Sequence, residues 1–196
     1  MLSSTASLAR ENTPSLNASK RFFRPTNPPR LVDNHLLIDP VQALFPDRSG
    51  DHHTLRRRIQ DAVFPCISKL AQEGHIVLMT ACLATENHRD TTSFREHLAL
   101  VRGTNVPLYW VSASCDRERL VERAQSDERV QSSKTKLTDP AILEGLVNAH
   151  RLLVPGELSA RLTNLVVVSL DTNGEVDESA RQLMEMVDLA RTVGAE

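Results

Sequence analysis

The chain has 196 residues, of which 40% are hydrophobic and 24% are charged, so it is long enough to bury the core of one ordinary globular domain. Lys and Arg number 23 against 25 Asp and Glu, and this near-neutral balance argues against nucleic acid or an anionic membrane as a partner. No apolar run approaches the roughly 20 residues that a helix needs to cross a bilayer, so no membrane span is expected.

The first 30 residues differ in composition from the rest of the chain. They hold eight Ser or Thr, four of the ten prolines, and five basic residues against one acid, with no apolar periodicity. This composition predicts a flexible, basic, Ser- and Pro-rich tail over residues 1–30, followed by one domain over residues 31–196. A mitochondrial presequence is the alternative, because such segments are also basic, Ser-rich and nearly free of acids.

From residue 31 onward, short apolar runs alternate with amphipathic helical stretches. The apolar runs predict strands over residues 31–34, 75–80, 107–112 and 164–169. Helices are predicted over 52–72 with a kink or break at Pro65, over 91–102, and starting near Asp116, Pro140 and Asp177. Strands that alternate with helices predict an α/β fold, a three-layer doubly wound parallel sheet whose ligands bind at the carboxyl ends of the strands.

The cysteines and histidines carry no metal-ligand spacing. Cys66, Cys82 and Cys115 are far apart and form no C-x-x-C pair, and the seven histidines form no H-x-x-H or H-E-x-x-H pattern. We therefore expect no metal site built from these residues, and reduced thiols typical of a cytoplasmic protein.

Four ordered segments carry a resemblance to a known family. They are V-D-N-H-L-L-I-D-P, I-V-L-M-T-A-C-L-A, V-P-L-Y-W-V-S-A-S-C-D and E-R-V-Q-S-S-K-T-K-L-T-D. Together they resemble P-loop kinase-like proteins, in particular the chloramphenicol phosphotransferase-like and zeta-toxin-like small-molecule kinases, over about residues 31–170. The resemblance implies a sheet with strand order 2-3-1-4-5, in which the four predicted strands are the second through the fifth.

The resemblance also implies cofactors, a substrate class and site residues. ATP and Mg²⁺ would be the cofactors, and the acceptor would be an unidentified small molecule with a hydroxyl group. Asp33, at the end of the second strand, would hold or deprotonate that hydroxyl, because a carboxylate beside the transferred phosphate can orient an attacking oxygen. Asp171 and Thr172 would lie near the nucleotide base.

A lid of cations would neutralise the charge that spreads over the transferred phosphoryl group. The resemblance implies that Arg129 would be the catalytic cation and that the remaining cations would bind the nucleotide. These remaining cations are Arg119, Arg123, Lys134 and Lys136.

One element of the family pattern is missing. A P-loop kinase needs an apolar strand followed by G-x-x-x-x-G-K-[ST], whose backbone N–H groups cradle the phosphates. Residues 1–30 contain no glycine, and Lys20 has no apolar run before it, so N-A-S-K-R does not qualify as a degenerate version of the loop. We therefore predict that the first, central strand is missing, and a misassigned start of the chain is the simplest explanation.

Three hypotheses for function follow. The first is an enzyme, an ATP-dependent small-molecule phosphotransferase by ancestry, which is active only if the chain carries the phosphate loop and is impaired in nucleotide binding without it. The second is a non-catalytic kinase-like remnant that acts as a binding or regulatory module. The third is an α/β protein unrelated to nucleotides.

Overall fold

The computed structural model describes residues 2–6, 29–125, 139–155 and 164–193. Within these ranges it contains five strands, which we label in chain order: β1 Leu2–Ala6, β2 Arg30–Val32, β3 Val77–Ala81, β4 Leu108–Ser114 and β5 Leu165–Asp171. The four strands predicted from the apolar runs are confirmed as β2 to β5, with bounds that shift by up to a few residues.

All five strands form one parallel sheet in the order β2-β3-β1-β4-β5. This is the order 2-3-1-4-5 that the family resemblance implies, so that expectation is confirmed. Because the strands are parallel, their carboxyl ends lie along one edge of the sheet, where ligands bind in folds of this type.

The central strand is present, and the prediction that it is missing was wrong. Leu2 pairs with Leu78 on β3 and with Tyr109 on β4, and the ladder continues to Ala6 opposite Ala113. The sequence L-S-S-T-A lacks the apolar run that we required of a central strand. It pairs nonetheless, because parallel ladders are made by backbone N–H and C=O groups that every residue except proline provides.

The predicted tail over residues 1–30 must be corrected for the same reason. Residues 2–6 form the central strand, and Arg30 begins β2 at the edge of the sheet. The rest of the predicted tail, residues 7–28, lies outside the described residues.

The helices in the described parts of the chain, again in chain order, are α1 His35–Leu44, α2 Gly50–Gln72, α3 His88–Ala99, α4 Arg117–Ala124, α5 Pro140–Ala149 and α6 Val176–Val193. Helix α5 begins at the predicted proline, whose ring fits the first helical turn because no backbone N–H is needed there. Helix α2 continues through Pro65, so the expected break at that residue was wrong. Helix α1 was not predicted, and it also contains a proline, Pro40.

Two buried clusters lie on opposite faces of the sheet, because alternate residues of a strand point to opposite sides. Met79 and Trp110 belong to the cluster that includes side chains of α1, α2 and α3. The Trp110 ring meets Phe94 of α3 edge to face at 4.8 Å between centroids. Leu78 and Tyr109 belong to the other cluster, which includes Leu183 of α6.

The start of β5 is fixed to the loop before β4 by one side chain. Asn164 Nδ2 donates to the backbone carbonyls of Val101, Thr104 and Val106, at 3.3, 3.2 and 2.6 Å. These bonds help to align β5 with β4 and so place the carboxyl ends of both strands side by side. Within the described ranges, no helix is both long and apolar enough to cross a membrane.

Candidate functional site

Asp33 lies directly after β2 and is almost fully buried, with 3% of its surface exposed. Its Oδ1 accepts hydrogen bonds from the backbone N–H of His35 at 3.1 Å and from the Thr80 hydroxyl at 3.2 Å. The same hydroxyl accepts the backbone N–H of Asn34 at 2.8 Å. The carboxylate predicted to contact the acceptor is therefore fixed to the carboxyl end of β3, the strand next to the central one.

Arg56 of α2 joins this group, although the sequence analysis did not single it out. Its Nη2 donates to Asn34 Oδ1 at 3.4 Å, so the guanidinium lies beside the residue that follows Asp33. Burial lowers the pKa of Arg56 from its ordinary value, and the nearby Asp90 opposes that shift. A weak signal was present in the sequence, because His52, Arg56 and Gln60 form a polar row at four-residue spacing beside the apolar stripe of α2.

Asp90, near the start of α3, closes the loop that follows β3. Its Oδ2 accepts the backbone N–H of Ala84 at 2.9 Å. Burial raises the pKa of Asp90, while this hydrogen bond and the positive charge of Arg56 act in the opposite direction. The loop is also tied to a later segment, since Leu153 N donates to Leu83 O at 2.9 Å.

A second group of polar contacts joins the ends of β4 and β5. The backbone N–H and the hydroxyl of Thr172 both donate to the carbonyl of Ser114, at 2.7 and 3.0 Å. The backbone N–H of Asp116 donates to Asn173 Oδ1 at 2.6 Å, which holds the start of α4 against the turn after β5. Asp171, predicted to lie near the base, accepts the backbone N–H of Asn173 at 2.8 Å and so shapes this turn.

Arg119 and Arg123, two of the predicted lid cations, contact this same turn. Arg119 Nε donates to the Asn173 carbonyl at 3.2 Å, and Arg123 Nη2 donates to the Gly174 carbonyl at 2.9 Å. A 2.7 Å hydrogen bond to Glu122 raises the pKa of Arg119. The other three predicted cations, Arg129, Lys134 and Lys136, lie outside the described residues.

The residues present do not fit the magnesium-nucleotide complex that the family pattern requires. The eight residues after β1 read S-L-A-R-E-N-T-P, and the first glycine of the chain is Gly50. The family pattern places glycine at such positions because it allows the backbone to approach a phosphate closely, and this stretch of sequence contains none. The end of β3 offers Thr80 and Cys82 rather than a carboxylate, and the described part of the chain contains no cluster of three metal-ligating side chains.

Comparisons with known proteins agree on the architecture. No protein-family model matches the chain, and no curated protein matches it. Among solved structures, it is similar to a sugar kinase from Janibacter sp. HTCC2649, with a TM-score of 0.54 and 9% identity over 98% of this chain and 95% of that chain. It is also similar to a gluconokinase from Sinorhizobium meliloti 1021, with a TM-score of 0.54 and 13% identity over 98% of this chain and 94% of that chain.

A third similar structure contains bound ligands. It is the APS kinase from Mycobacterium tuberculosis in complex with AMPPNP and APS, with a TM-score of 0.53 and 14% identity over 95% of this chain and 96% of that chain. Likeness over nearly the whole chain at such low identity establishes the architecture and not the activity. The chain has the P-loop kinase-like fold.

Proposed function

We propose that this chain is a small-molecule phosphotransferase by ancestry that keeps its acceptor-binding edge and binds nucleotide poorly. The observation that carries the proposal is the position of Asp33, held by Thr80 at the carboxyl edge of a kinase-like sheet. The similarity to sugar, gluconate and APS kinases supports an acceptor that is a small molecule with a hydroxyl group.

Asp33 would orient the acceptor in this proposal. A carboxylate that accepts a hydrogen bond from the acceptor hydroxyl sets the direction of the oxygen lone pairs and can take the proton. The bonds from His35 and Thr80 restrict rotation of the Asp33 carboxylate, so the hydroxyl would meet a preorganised acceptor atom.

Nucleotide binding is the function that the sequence impairs. In the P-loop pattern the phosphates are held by backbone N–H groups, a lysine and a Ser or Thr hydroxyl. Residues 7–14 contain no glycine and no lysine, so the main source of phosphate affinity is lost. The lid cations that would compensate are Arg119, Arg123, Arg129, Lys134 and Lys136.

A second candidate function is a non-catalytic binding module. The absence of glycine before residue 50 favours it, because a chain that does not hold a nucleotide can still bind the acceptor at the Asp33 edge. The two candidates differ in whether a phosphoryl group is transferred, and they share the acceptor site.

Calorimetric titration of the purified chain with ATP and Mg²⁺ tests the impairment. We expect no saturable binding up to about 1 mM ATP. Saturation at micromolar ATP that depends on Mg²⁺ would contradict the impairment and favour an active enzyme. The matched variant replaces residues 7–14 with a G-x-x-x-x-G-K-S loop, and a gain in ATP affinity of about tenfold or more would show that the scaffold still accepts a nucleotide.

A further inference from the structure

The polar row of α2 contains one member whose hydrogen-bonding capacity is largely unused within the described residues. His52 Nδ1 is bonded to the Phe45 carbonyl at 2.8 Å, and Gln60 Nε2 donates to Ser93 Oγ at 3.3 Å. Arg56 stands between them with five N–H donors, and its hydrogen bond in the described structure is the 3.4 Å contact with Asn34. A half-buried guanidinium with so few partners among the described residues is costly unless a further acceptor bonds to it.

Two further arginines act electrostatically on this part of α2. Arg48 lowers the pKa of Arg56, and both Arg89 and Arg48 lower the pKa of the neighbouring His53, on which burial has the larger effect. Their positive charges would attract an anion. Asp90, Cys82 and Glu96 act in the opposite direction and raise the pKa of Arg56. Asp90 already accepts the Ala84 N–H, and Glu96 pairs with Arg57 at 2.8 Å, so both carboxylates have other partners.

Arg56 is also linked to Asp33 by hydrogen bonds that run through Asn34 and Thr80. Asn34 receives the guanidinium on its side chain and bonds Thr80 through its backbone, and Thr80 in turn donates to Asp33. One short network therefore connects a cation that can hold an anion with a carboxylate that can hold a hydroxyl. A molecule that carries both groups a few bonds apart would contact both ends of the network.

We propose that Arg56 binds a carboxylate of the acceptor, so that the substrate class of this site is a small hydroxy acid. The planar guanidinium matches a carboxylate with two parallel N–H···O bonds, which an uncharged polyol cannot reproduce. Asp33 and Asp90, which lie in the same neighbourhood, would repel a doubly charged phosphate more strongly than a singly charged carboxylate. This inference rests on the proposed function for the position of the acceptor, and it concerns binding alone.

Titration of the full chain followed by NMR, without nucleotide, tests the inference. The probes are glycerate and gluconate, and the uncharged controls are glycerol and glucitol. We expect saturable shifts with at least one hydroxy acid and weaker binding by about tenfold or more for its uncharged counterpart. Equal binding of acid and polyol, or no saturable binding of either acid up to about 50 mM, would overturn the proposal.

Variants assign the effect to Arg56. Arg56→Gln is expected to reduce the affinity for the acid about tenfold or more, whereas Arg58→Gln, at an exposed site on the same helix, should leave it unchanged. Arg56→Lys keeps the positive charge but not the planar guanidinium that can make two parallel hydrogen bonds. It should therefore fold and bind the acid with intermediate affinity. Wild-type affinity in folded Arg56→Gln, or in Arg56→Lys if the first variant does not fold, would remove Arg56 from the site.

Failure of this inference is distinguishable from failure of the proposed function. Acid binding that depends on Arg56, in a loop-restored chain that transfers no phosphate to that acid, would support the inference and count against the phosphotransferase. Phosphoryl transfer to a polyol at a rate that Arg56→Gln does not change would support the phosphotransferase and count against the inference.

Discussion

The Thr80 hydroxyl donates to Asp33 Oδ1 at 3.2 Å, although 47 residues separate the two in sequence. The contact joins the carboxyl ends of β2 and β3, and the backbone N–H of Asn34 completes it by donating to the same hydroxyl. Both Asp33 and Thr80 are buried, so each has given up hydrogen bonds to water, and their contact replaces part of that loss. The candidate catalytic carboxylate is thus positioned by a strand that lies next to the centre of the sheet.

Removal of the Thr80 hydroxyl should destabilise the protein. Thr80→Val keeps the shape but leaves Asp33 and the N–H of Asn34 each short of a partner, which costs about 1–3 kcal/mol. Thr80→Ser retains the hydroxyl and should recover most of that loss. Urea unfolding of the three proteins measures the effect, and equal midpoints for wild type and Thr80→Val would show that the network contributes nothing to stability.

Asp33→Asn should abolish phosphoryl transfer in the loop-restored chain with little effect on folding. The amide oxygen of asparagine can still accept the bonds from His35 and Thr80, but it cannot take a proton from the acceptor hydroxyl. The measurements are the release of ADP in the presence of acceptor and the urea midpoint. Turnover at the loop-restored rate would exclude Asp33 from the chemistry.

His97 should make the protein less stable in mild acid. Burial lowers the pKa of His97, which is 5% exposed and packs edge to face on Phe64 at 5.0 Å, so the folded state keeps the ring neutral. The unfolded state takes up a proton below about pH 6.5, and stability then falls by up to about 1.4 kcal/mol per pH unit as the pH decreases toward the lowered folded value.

The comparison of variants isolates that contribution. His97→Gln should be less stable at neutral pH but should lose less of its remaining stability between about pH 7 and pH 5. Parallel pH profiles for wild type and His97→Gln would contradict the prediction.

Arg119 and Arg123 should affect the rate of phosphoryl transfer more than the stability of the fold. Both are bonded to the turn after β5, and ion pairs as exposed as that of Arg119 with Glu122 contribute little to folding. If they act as lid cations, the double variant Arg119→Gln/Arg123→Gln in the loop-restored chain should lose about tenfold or more in transfer rate. Its melting temperature should fall by less than about 2 °C.

A control separates the lid role from general loss of charge. Arg102→Gln removes an exposed arginine away from the turn contacts and should change neither readout. An unchanged rate of phosphoryl transfer in the double variant, with or without a lower melting temperature, would contradict the lid role. Arg119 and Arg123 would then only stabilise the turn after β5.

Much of this fold could be predicted from the sequence because its signals are local. The strands β3, β4 and β5 are dense apolar runs, and sheets covered on both faces require such runs. The start of α5 at Pro140 follows from the backbone preference of a single residue, because the ring of proline fits the first helical turn. Asp33 could be proposed because a carboxylate after an edge strand matches an ordered family pattern.

Tertiary structure alone decided the rest. The strand L-S-S-T-A has no pattern of its own, and it becomes the centre of the sheet because β3 and β4 offer backbone partners on both sides. Arg56 lies beside Asn34 only because folding brings α2 to the turn that follows β2 and so joins side chains 22 residues apart. The periodicity of a sequence indicates which face of a helix or strand is buried. Contacts between distant residues depend on neighbours that only folding brings together. The central strand and the proposed anion site both depend on such contacts.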